Sequence, residues 1–211
     1  MNPAAGVFPM TGQHYPPNLM LTAYAFVDGG YLRKEAEKLS TPFPNPHSTI
    51  EHIMSAVRNM GGYGRGVNSV FTRRLLFYDA VDPINGESDP NVQLYWSAIE
   101  QLNDTEVRCG TIRGRPGRQR QKGVDVLLAV DMLVGAHNRI FDVAVLVSGD
   151  EDFIPVVNEV KRGGVSVVVG GVLASTSVEL RRVADRFIDL TNAGCIVKAL
   201  DFPSKTTPAS P

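Results

Sequence analysis

The stretch VAVLVSGDEDF, residues 143–153, decides the fold. Five uninterrupted apolar residues followed by Ser-Gly are typical of a strand that is buried on both faces of a parallel sheet. Asp150, Glu151 and Asp152 then stand at the carboxyl end of that strand. In open α/β sheets, ligands bind outside the carboxyl ends of the strands, at the point where the strand order reverses. The stretch therefore predicts an α/β fold with acidic side chains at a ligand site.

A second apolar run has the same design, because residues 23–27 (AYAFV) lead directly into Asp28. Other strand-like runs alternate with segments of helical periodicity. These runs are residues 73–79, 106–112, 165–169 and 187–190. Such alternation implies right-handed crossovers, so we predict a Rossmann-like three-layer sandwich with a mostly parallel central sheet and a strand order of about 3-2-1-4-5. In that order the first and fourth strands are neighbours, and Asp28 converges with Asp150.

Length and composition fit one domain, because 211 residues with 43% hydrophobic content can bury a sizeable core. We place the domain at residues 21–192, between a flexible N-terminal segment at 1–20 and a flexible tail at 203–211. Cys109 and Cys195 lie far apart beside apolar runs, which favours reduced thiols and a cytoplasmic protein. No segment has the roughly eighteen apolar residues of a membrane span. A formal net charge of -1 argues against a generally basic nucleic-acid binder.

Residues 124–137 have helical periodicity and contribute two more acids. Asp125 lies in the first turn, at the same edge of the sheet as Asp28 and Asp150, so we expect it to join them. Asp131 falls in the middle of the apolar stripe that should pack on the sheet, where a charge is unusual.

Each acid also has a purely structural interpretation. Asp28 suits a turn, and Asp150 with Asp152 suits the cap of the helix that follows. Asp125 is favourable at a helix N-terminus, and Asp131 is explained equally well as a buried acid hydrogen-bonded to a neighbouring loop. Acids at both central strands and on the helix between them are less easily explained one by one.

A cluster of carboxylates needs protons or a metal to neutralise it. Two carboxylates about 4 Å apart repel by about 4 kcal/mol at an effective dielectric constant of 20. No His or Cys lies near these acids in sequence, which disfavours zinc, while oxygen ligands suit Mg²⁺ or Mn²⁺. Such an ion polarises a phosphoryl oxygen and lowers the pKa of a bound water, which is the chemistry of phosphodiester hydrolysis.

Residues 108–122 form a basic segment with six cations and no acid, directly before the helix that carries Asp125. Arginines suit bidentate contacts to phosphate, so the segment predicts RNA binding beside the metal. The alternative is a solvated surface loop. The predicted RNA contacts are Arg113, Arg115, Arg118, Arg120 and Lys122.

Three motifs occur in a fixed order along the chain: FVDGGY at 26–31, KGVDVLLAVD at 122–131 and VSGDEDFIP at 147–155. Together they resemble an NYN domain of the PIN-like nuclease superfamily, of the LabA-like kind, over about residues 22–190. The resemblance implies a Rossmann-like parallel sheet and a ribonuclease site that depends on Mg²⁺ or Mn²⁺.

The resemblance also assigns roles to residues. Asp28, Asp125 and Asp150 match the family's acidic positions, and Asp131 and Asp152 match further acids of its motifs. The chain departs from many members at Tyr31, where they carry Asn. The predicted metal ligands are Asp28, Asp125, Asp131 and Asp150. The predicted catalytic residues are Asp28, Asp125, Asp150 and Asp152, with Ser148, Gly149 and Tyr31 as the supporting turn.

We therefore predict a metal-dependent endoribonuclease whose partner is RNA, without a membrane association and with a homo-oligomer left open. The alternative is a non-catalytic RNA-binding or regulatory module on the same fold, because some family members are thought to bind RNA without cutting it. A third hypothesis is a phosphatase with Asp28 as the nucleophile, but Gly30 stands where the usual second Asp would be.

Overall fold

The computed structural model describes residues 19–38, 46–59, 67–81, 90–113 and 120–191. The predicted tail at 203–211 and all but the last two residues of the predicted N-terminal segment lie outside these ranges. The strands of the described residues are β1 (Leu19–Asp28), β2 (Val67–Val81), β3 (Thr105–Arg113), β4 (Arg120–Lys122), β5 (Val143–Val147), β6 (Ser166–Gly171) and β7 (Arg186–Asp189). The helices are α1 (Gly29–Lys38), α2 (Pro46–Asn59), α3 (Pro90–Glu100), α4 (Val124–His137), α5 (Ile154–Arg162) and α6 (Val178–Val183).

The strands form one sheet in the order β4-β3-β2-β1-β5-β6-β7. Every neighbouring pair is parallel except β3 with β4. The predicted order of the first five parallel strands is confirmed, and β7 extends it at one edge. Strand β1 lies between β2 and β5, and its Val27 pairs with Val147. The residues that follow β1 and β5 therefore emerge side by side, at the point where the strand order reverses.

Strand β4 corrects the prediction of a loop throughout the basic segment after β3. Residues Arg120–Lys122 pair antiparallel with the end of β3, with Lys122 opposite Thr111 and Arg113 opposite Arg120. Three consecutive polar residues have no apolar alternation that would indicate a strand. The pairing is set by the open edge of β3, which offers unpaired backbone groups to the returning chain.

The sheet has an apolar layer on each face, as the three-layer prediction requires. All five residues of β5 are buried. Val143, Val145 and Val147 join the core under α1, α2 and α3, whereas Ala144 and Leu146 join the core under α4, α5 and α6. This alternation explains why the strand is apolar without interruption, since neither face meets water. None of the helices in the described ranges has the length and apolar character needed to cross a membrane.

A buried ion pair fastens two helices to β2. The carboxylate of Asp79 is fully buried and accepts hydrogen bonds from Arg33 of α1, from Trp96 Nε1 of α3 at 2.9 Å and from the Ala80 amide at 2.7 Å. Removing one partner of such a pair typically costs about 3–5 kcal/mol, because the other charge stays buried. The pair thus anchors α1, the helix that begins directly after Asp28.

Candidate acidic active site

Asp28 is the last residue of β1 and caps the N-terminus of α1. Its Oδ1 accepts a hydrogen bond from the Tyr31 amide at 2.9 Å, and its Oδ2 accepts one from the Ser148 hydroxyl at 3.2 Å. Ser148 is fully buried and follows β5 directly. The carboxylate is therefore held by the segments that follow the two central strands, and its orientation is fixed before any ligand binds.

The turn after Asp28 is tightly packed against β2. A Cβ on Gly29 would lie 2.4 Å from the Phe77 ring and 2.8 Å from the carbonyl oxygen of Tyr78. Only glycine fits there, which explains why the chain has Gly immediately after the acid.

Burial raises the pKa of Asp28 from its ordinary value of 3.8 to about 6. The hydrogen bond from the Tyr31 amide opposes this rise, and the negative charge of Asp125 adds to it. The carboxylate thus carries an electrostatic cost near neutral pH. A bound cation would relieve that cost.

Asp125 lies in the first turn of α4. The residue before this helix, Gly123, has a left-handed backbone conformation with φ of 86°. Its side chain is exposed, yet partial desolvation and the charges of Asp150 and Asp152 raise its pKa. Asp125 therefore lies within electrostatic range of Asp28 and also of Asp150.

Asp150 caps the 3-10 turn at Glu151–Phe153. Its Oδ1 accepts a hydrogen bond from the Asp152 amide at 3.0 Å, and its own amide donates to Ser148 Oγ at 3.3 Å. The capping role that the sequence also allowed is therefore real. It leaves Asp150 exposed and able to bind a ligand as well.

Tyr31 connects Asp28 to a distant turn. Its backbone amide holds Asp28, while its hydroxyl accepts a hydrogen bond from the Val172 amide at 2.8 Å. The same hydroxyl lies 3.2 Å from Thr176 Oγ1 and 3.3 Å from Ser175 Oγ. The turn between β6 and α6 is thus fastened beside the acids. The sequence did not indicate this contact, because 141 residues separate Tyr31 from Val172.

Gly149 makes room for that contact. A Cβ at this position would lie 2.6 Å from the Tyr31 ring and 2.9 Å from the carbonyl oxygen of Ser175. The predicted supporting turn of Ser148, Gly149 and Tyr31 therefore forms a packed unit around Asp28. An Asn side chain is not needed to orient this acid, since the backbone of Tyr31 does so.

Asp131 has different partners from the other acids. Its Oδ2 accepts hydrogen bonds from the Tyr78 hydroxyl at 2.8 Å and from Arg108 Nη1 at 2.6 Å. This arrangement corresponds to the structural interpretation of Asp131, except that the partners come from β2 and β3 rather than from a loop. For this reason Asp131 is not one of the metal ligands proposed below.

Three of the predicted RNA contacts lie in the paired residues of β3 and β4. Arg113 and Arg120 occupy opposite positions in this pairing, and Lys122 ends β4 next to α4. Arg115 and Arg118 lie outside the described residues.

The sequence did not single out Lys34, an exposed cation of α1. Its positive charge partly opposes the rise in the pKa of Asp28 and of Asp125. Its spacing of three residues from Tyr31 on one helix was the available signal.

The donor set of the site consists of carboxylate and hydroxyl oxygens. Within the described part of the chain, no three His, Cys, Asp or Glu side chains are arranged closely enough to hold a metal ion by themselves. Mg²⁺ commonly uses one or two carboxylates and keeps several waters, so a smaller set of protein ligands suffices for it. Asp28, Asp125 and Asp150 fit an ion of this kind by chemistry and charge.

Acids gathered at the carboxyl ends of the two central strands of a parallel sheet define an α/β domain with an acidic site at its switch point. The chain belongs to the NYN domain family, whose family model matches residues 26–191. That family is part of the PIN-like nuclease superfamily, so the predicted resemblance is confirmed.

Two individual proteins are similar to the chain. The uncharacterized protein y4oD of Sinorhizobium fredii is 37% identical over 92 residues, which cover 42% of this chain and 42% of y4oD. A crystal structure of VPA0982, a protein of unknown function from Vibrio parahaemolyticus, is 19% identical with a TM-score of 0.62. The match covers 82% of this chain and 94% of the VPA0982 chain, and it supports the fold.

Proposed function

We propose that the protein is a metal-dependent endoribonuclease. The observation that carries this proposal is the half-buried carboxylate of Asp28, which the Tyr31 amide and the Ser148 hydroxyl hold in place. Burial and the negative charge of Asp125 raise the pKa of this carboxylate. Membership of a nuclease superfamily supports the same conclusion.

Asp28, Asp125 and Asp150 would hold Mg²⁺ or Mn²⁺ partly through its bound waters, and the backbone amide of Asp152 would orient the Asp150 carboxylate. When bound, a divalent ion polarises the scissile phosphoryl group and lowers the pKa of an attacking water. The chain's own groups bind and orient the substrate. Lys34 offsets negative charge beside Asp28 and Asp125, and the basic segment around the β3–β4 hairpin holds the RNA backbone.

The test is cleavage of labelled RNA by purified protein with Mg²⁺ or Mn²⁺. Wild-type protein is expected to cut, and Asp28→Asn and Asp150→Asn should each reduce the rate on the order of 100-fold, as expected when a few kcal/mol of metal-assisted charge stabilisation is lost. Asp104→Asn is the matched control. Asp104 is exposed, precedes β3 and has φ of 60°, a conformation that Asn also adopts readily. Cleavage that survives both substitutions, or no cleavage with either metal, contradicts the proposal.

A second candidate function is an RNA-binding or regulatory module without turnover. The observation that favours it is that no three acids, histidines or cysteines of the described ranges are close enough to form a metal site by themselves. In the same experiment, this function predicts RNA binding without cleavage at every metal concentration.

A further inference from the structure

A cavity lies beside the C-terminal half of α4, apart from the acid cluster. We call it the α4 pocket. Its volume is about 240 Å³, and its walls come from α4, from the segment that follows it and from strands β1, β2 and β3. Its lining includes the side chains of Tyr24, Val134, Ile140, Phe141, Arg74 and Glu106.

One side of the α4 pocket is aromatic and apolar. The rings of Tyr24 and Phe141 lie 5.2 Å apart at an interplanar angle of 33°. Val134 and Ile140 line the same cavity with apolar side chains that are about half exposed. Phe141 is buried and backs the partly exposed Tyr24 ring, and this ring beside exposed apolar groups suits a flat ligand with apolar faces, such as a nucleobase.

The polar groups of the α4 pocket fall into a fixed set and an available set. Arg108 is fixed, because its Nε lies 2.9 Å from Glu106 Oε1 and its Nη1 lies 2.6 Å from Asp131 Oδ2. Arg74 is held only weakly, at 3.4 Å from Glu106 Oε2, and both of these side chains are exposed. An exposed ion pair of this kind contributes little, so a ligand can readily replace it. A guanidinium group and a carboxylate oxygen are therefore available side by side.

We propose that the α4 pocket binds a guanine base of the RNA, an inference that rests on the proposed function. Guanine presents O6 and N7 as adjacent acceptors, which an arginine contacts in bidentate fashion. Its N1–H and exocyclic amino group are adjacent donors, which Glu106 Oε2, the oxygen that does not hold Arg108, can accept. Arg74 and Glu106 match these two halves of the guanine edge. Adenine has no O6, and the pyrimidines have no N7, so no other base satisfies both groups.

The position of the α4 pocket relative to the acids suits a base of the same RNA strand. Asp131, in the wall of the pocket, is six residues from Asp125 on α4, which corresponds to about 9 Å along the helix axis. Tyr78, which donates to Asp131, pairs with Asp28 in the sheet. Tyr78 thus links the wall of the pocket to the strand end that carries Asp28, so a guanine in the pocket and a phosphodiester at the acids can belong to one RNA strand.

The experiment measures binding of the four nucleoside monophosphates by titration calorimetry without metal. Wild-type protein should bind GMP about 10-fold more tightly than AMP, CMP or UMP, within the range for one bidentate base contact. Arg74→Ala and Glu106→Gln should remove most of this preference, and Val134→Trp should block the pocket from an exposed helix position. Arg73→Ala is the matched control, since Arg73 is adjacent and exposed but does not line the pocket.

Melting curves establish that each variant is folded, and each outcome then has one meaning. Equal binding of all four nucleotides, no binding at millimolar concentration, or a GMP preference that persists in both Arg74→Ala and Glu106→Gln overturns the inference. Asp28→Asn should retain the GMP preference, because Asp28 does not line the pocket. A GMP preference without RNA cleavage would reject the proposed nuclease and keep the pocket. Metal-dependent cleavage without a GMP preference would do the reverse.

Discussion

At Asp28, one carboxylate serves both as the cap of α1 and as the least exposed of the acids at the site. These two roles have opposite effects on the free energy of folding. The hydrogen bonds from Tyr31 and Ser148 stabilise the charged form, whereas burial and Asp125 destabilise it, and the net effect is a pKa of about 6. A residue that is costly to the fold in its ionised form is typical of functional sites.

This balance predicts that Asp28→Asn stabilises the protein at neutral pH. The pKa of Asp28 is about 6 in the folded state and 3.8 at its ordinary value, which we take for the unfolded state. The contribution of the protonated carboxyl to the stability of the fold is therefore fully present below about pH 4. That advantage is lost as the pH rises to about 6, and the loss amounts to about 3 kcal/mol. Asn keeps the acceptor for the Tyr31 amide without the charge. Denaturant unfolding at pH 4 and pH 7 should show the variant and wild type equal at pH 4 and the variant more stable at pH 7.

Asp104→Asn provides the control for this pH effect, since its side chain is exposed. It should show no gain that grows between pH 4 and pH 7. A variant at position 28 that is less stable than wild type at pH 7 would mean that the cap outweighs burial.

Tyr31→Phe is predicted to loosen the turn between β6 and α6 without releasing Asp28. The substitution removes the acceptor of the Val172 amide and leaves the backbone bond to Asp28 intact. Loss of one such bond typically costs about 1–2 kcal/mol. Hydrogen exchange should become faster at Val172 while the helix α1 amides stay protected. Tyr24→Phe is the matched control, because the Tyr24 hydroxyl makes no hydrogen bond to any residue that the structure describes. Equal effects of the two substitutions on exchange at Val172 would mean that the Tyr31 hydroxyl does not hold this turn.

At the same scale, Asp131 marks the limit of what the sequence could predict. Its position on the packing face of α4 correctly indicated an unusual acid. Its partners, Tyr78 and Arg108, follow from the side-by-side placement of β2 and β3, which the periodicity of a single helix does not contain. The helical periodicity therefore located Asp131, whereas its hydrogen-bond partners could be identified only from the three-dimensional fold.

At the scale of elements, the basic segment around the β3–β4 hairpin carries a prediction about salt. If Arg113, Arg115, Arg118 and Arg120 contact phosphates, each lost contact should reduce the slope of log affinity against log salt by about 0.7 for single-stranded RNA. Sequence preference should change little, because phosphates are common to all sequences. Binding measured over a salt series, for wild type and for the variant with all four arginines changed to Ala, tests this. Unchanged affinity and slope would mean that the RNA binds elsewhere.

Asp125→Asn is the counterpart of that arginine variant. It removes a negative charge beside the substrate backbone, so RNA affinity without metal should hold or increase while turnover falls. A loss of affinity equal to that of the arginine variant would contradict the separation of binding residues from catalytic ones.

Elements with a strong periodic signal were predicted at about their observed positions, as for α4 at 124–137 and β5 at 143–147. Strand β4 was missed because Arg-Gln-Lys has no apolar pattern and pairs only where β3 offers an edge. The acids at the ends of β1 and β5 were predictable because parallel strands deliver their carboxyl ends to one edge. The link from Tyr31 to Val172 was not, because it depends on the return of β6 beside β5.

For the whole molecule, the acid cluster predicts stabilisation by divalent metal. An ion that binds the folded state alone stabilises it by about 2.7 kcal/mol at a concentration 100 times its Kd. Millimolar Mg²⁺ or Mn²⁺ should therefore raise the melting temperature of wild type, and the rise should shrink sharply in Asp28→Asn and persist in Asp104→Asn. An unchanged wild-type melting temperature would count against a metal site in the protein without RNA.

The central place of β1 also governs when the site comes into being during synthesis. Asp28 is made before Ser148, which fixes its carboxylate and follows it by 120 residues. Strand β5 cannot dock on β1 before it exists, so a nascent chain or a fragment that stops short of it contains Asp28 without a formed site. Under the proposed function, cleavage of the chain's own messenger would have to wait until β5 has been translated and has docked on β1.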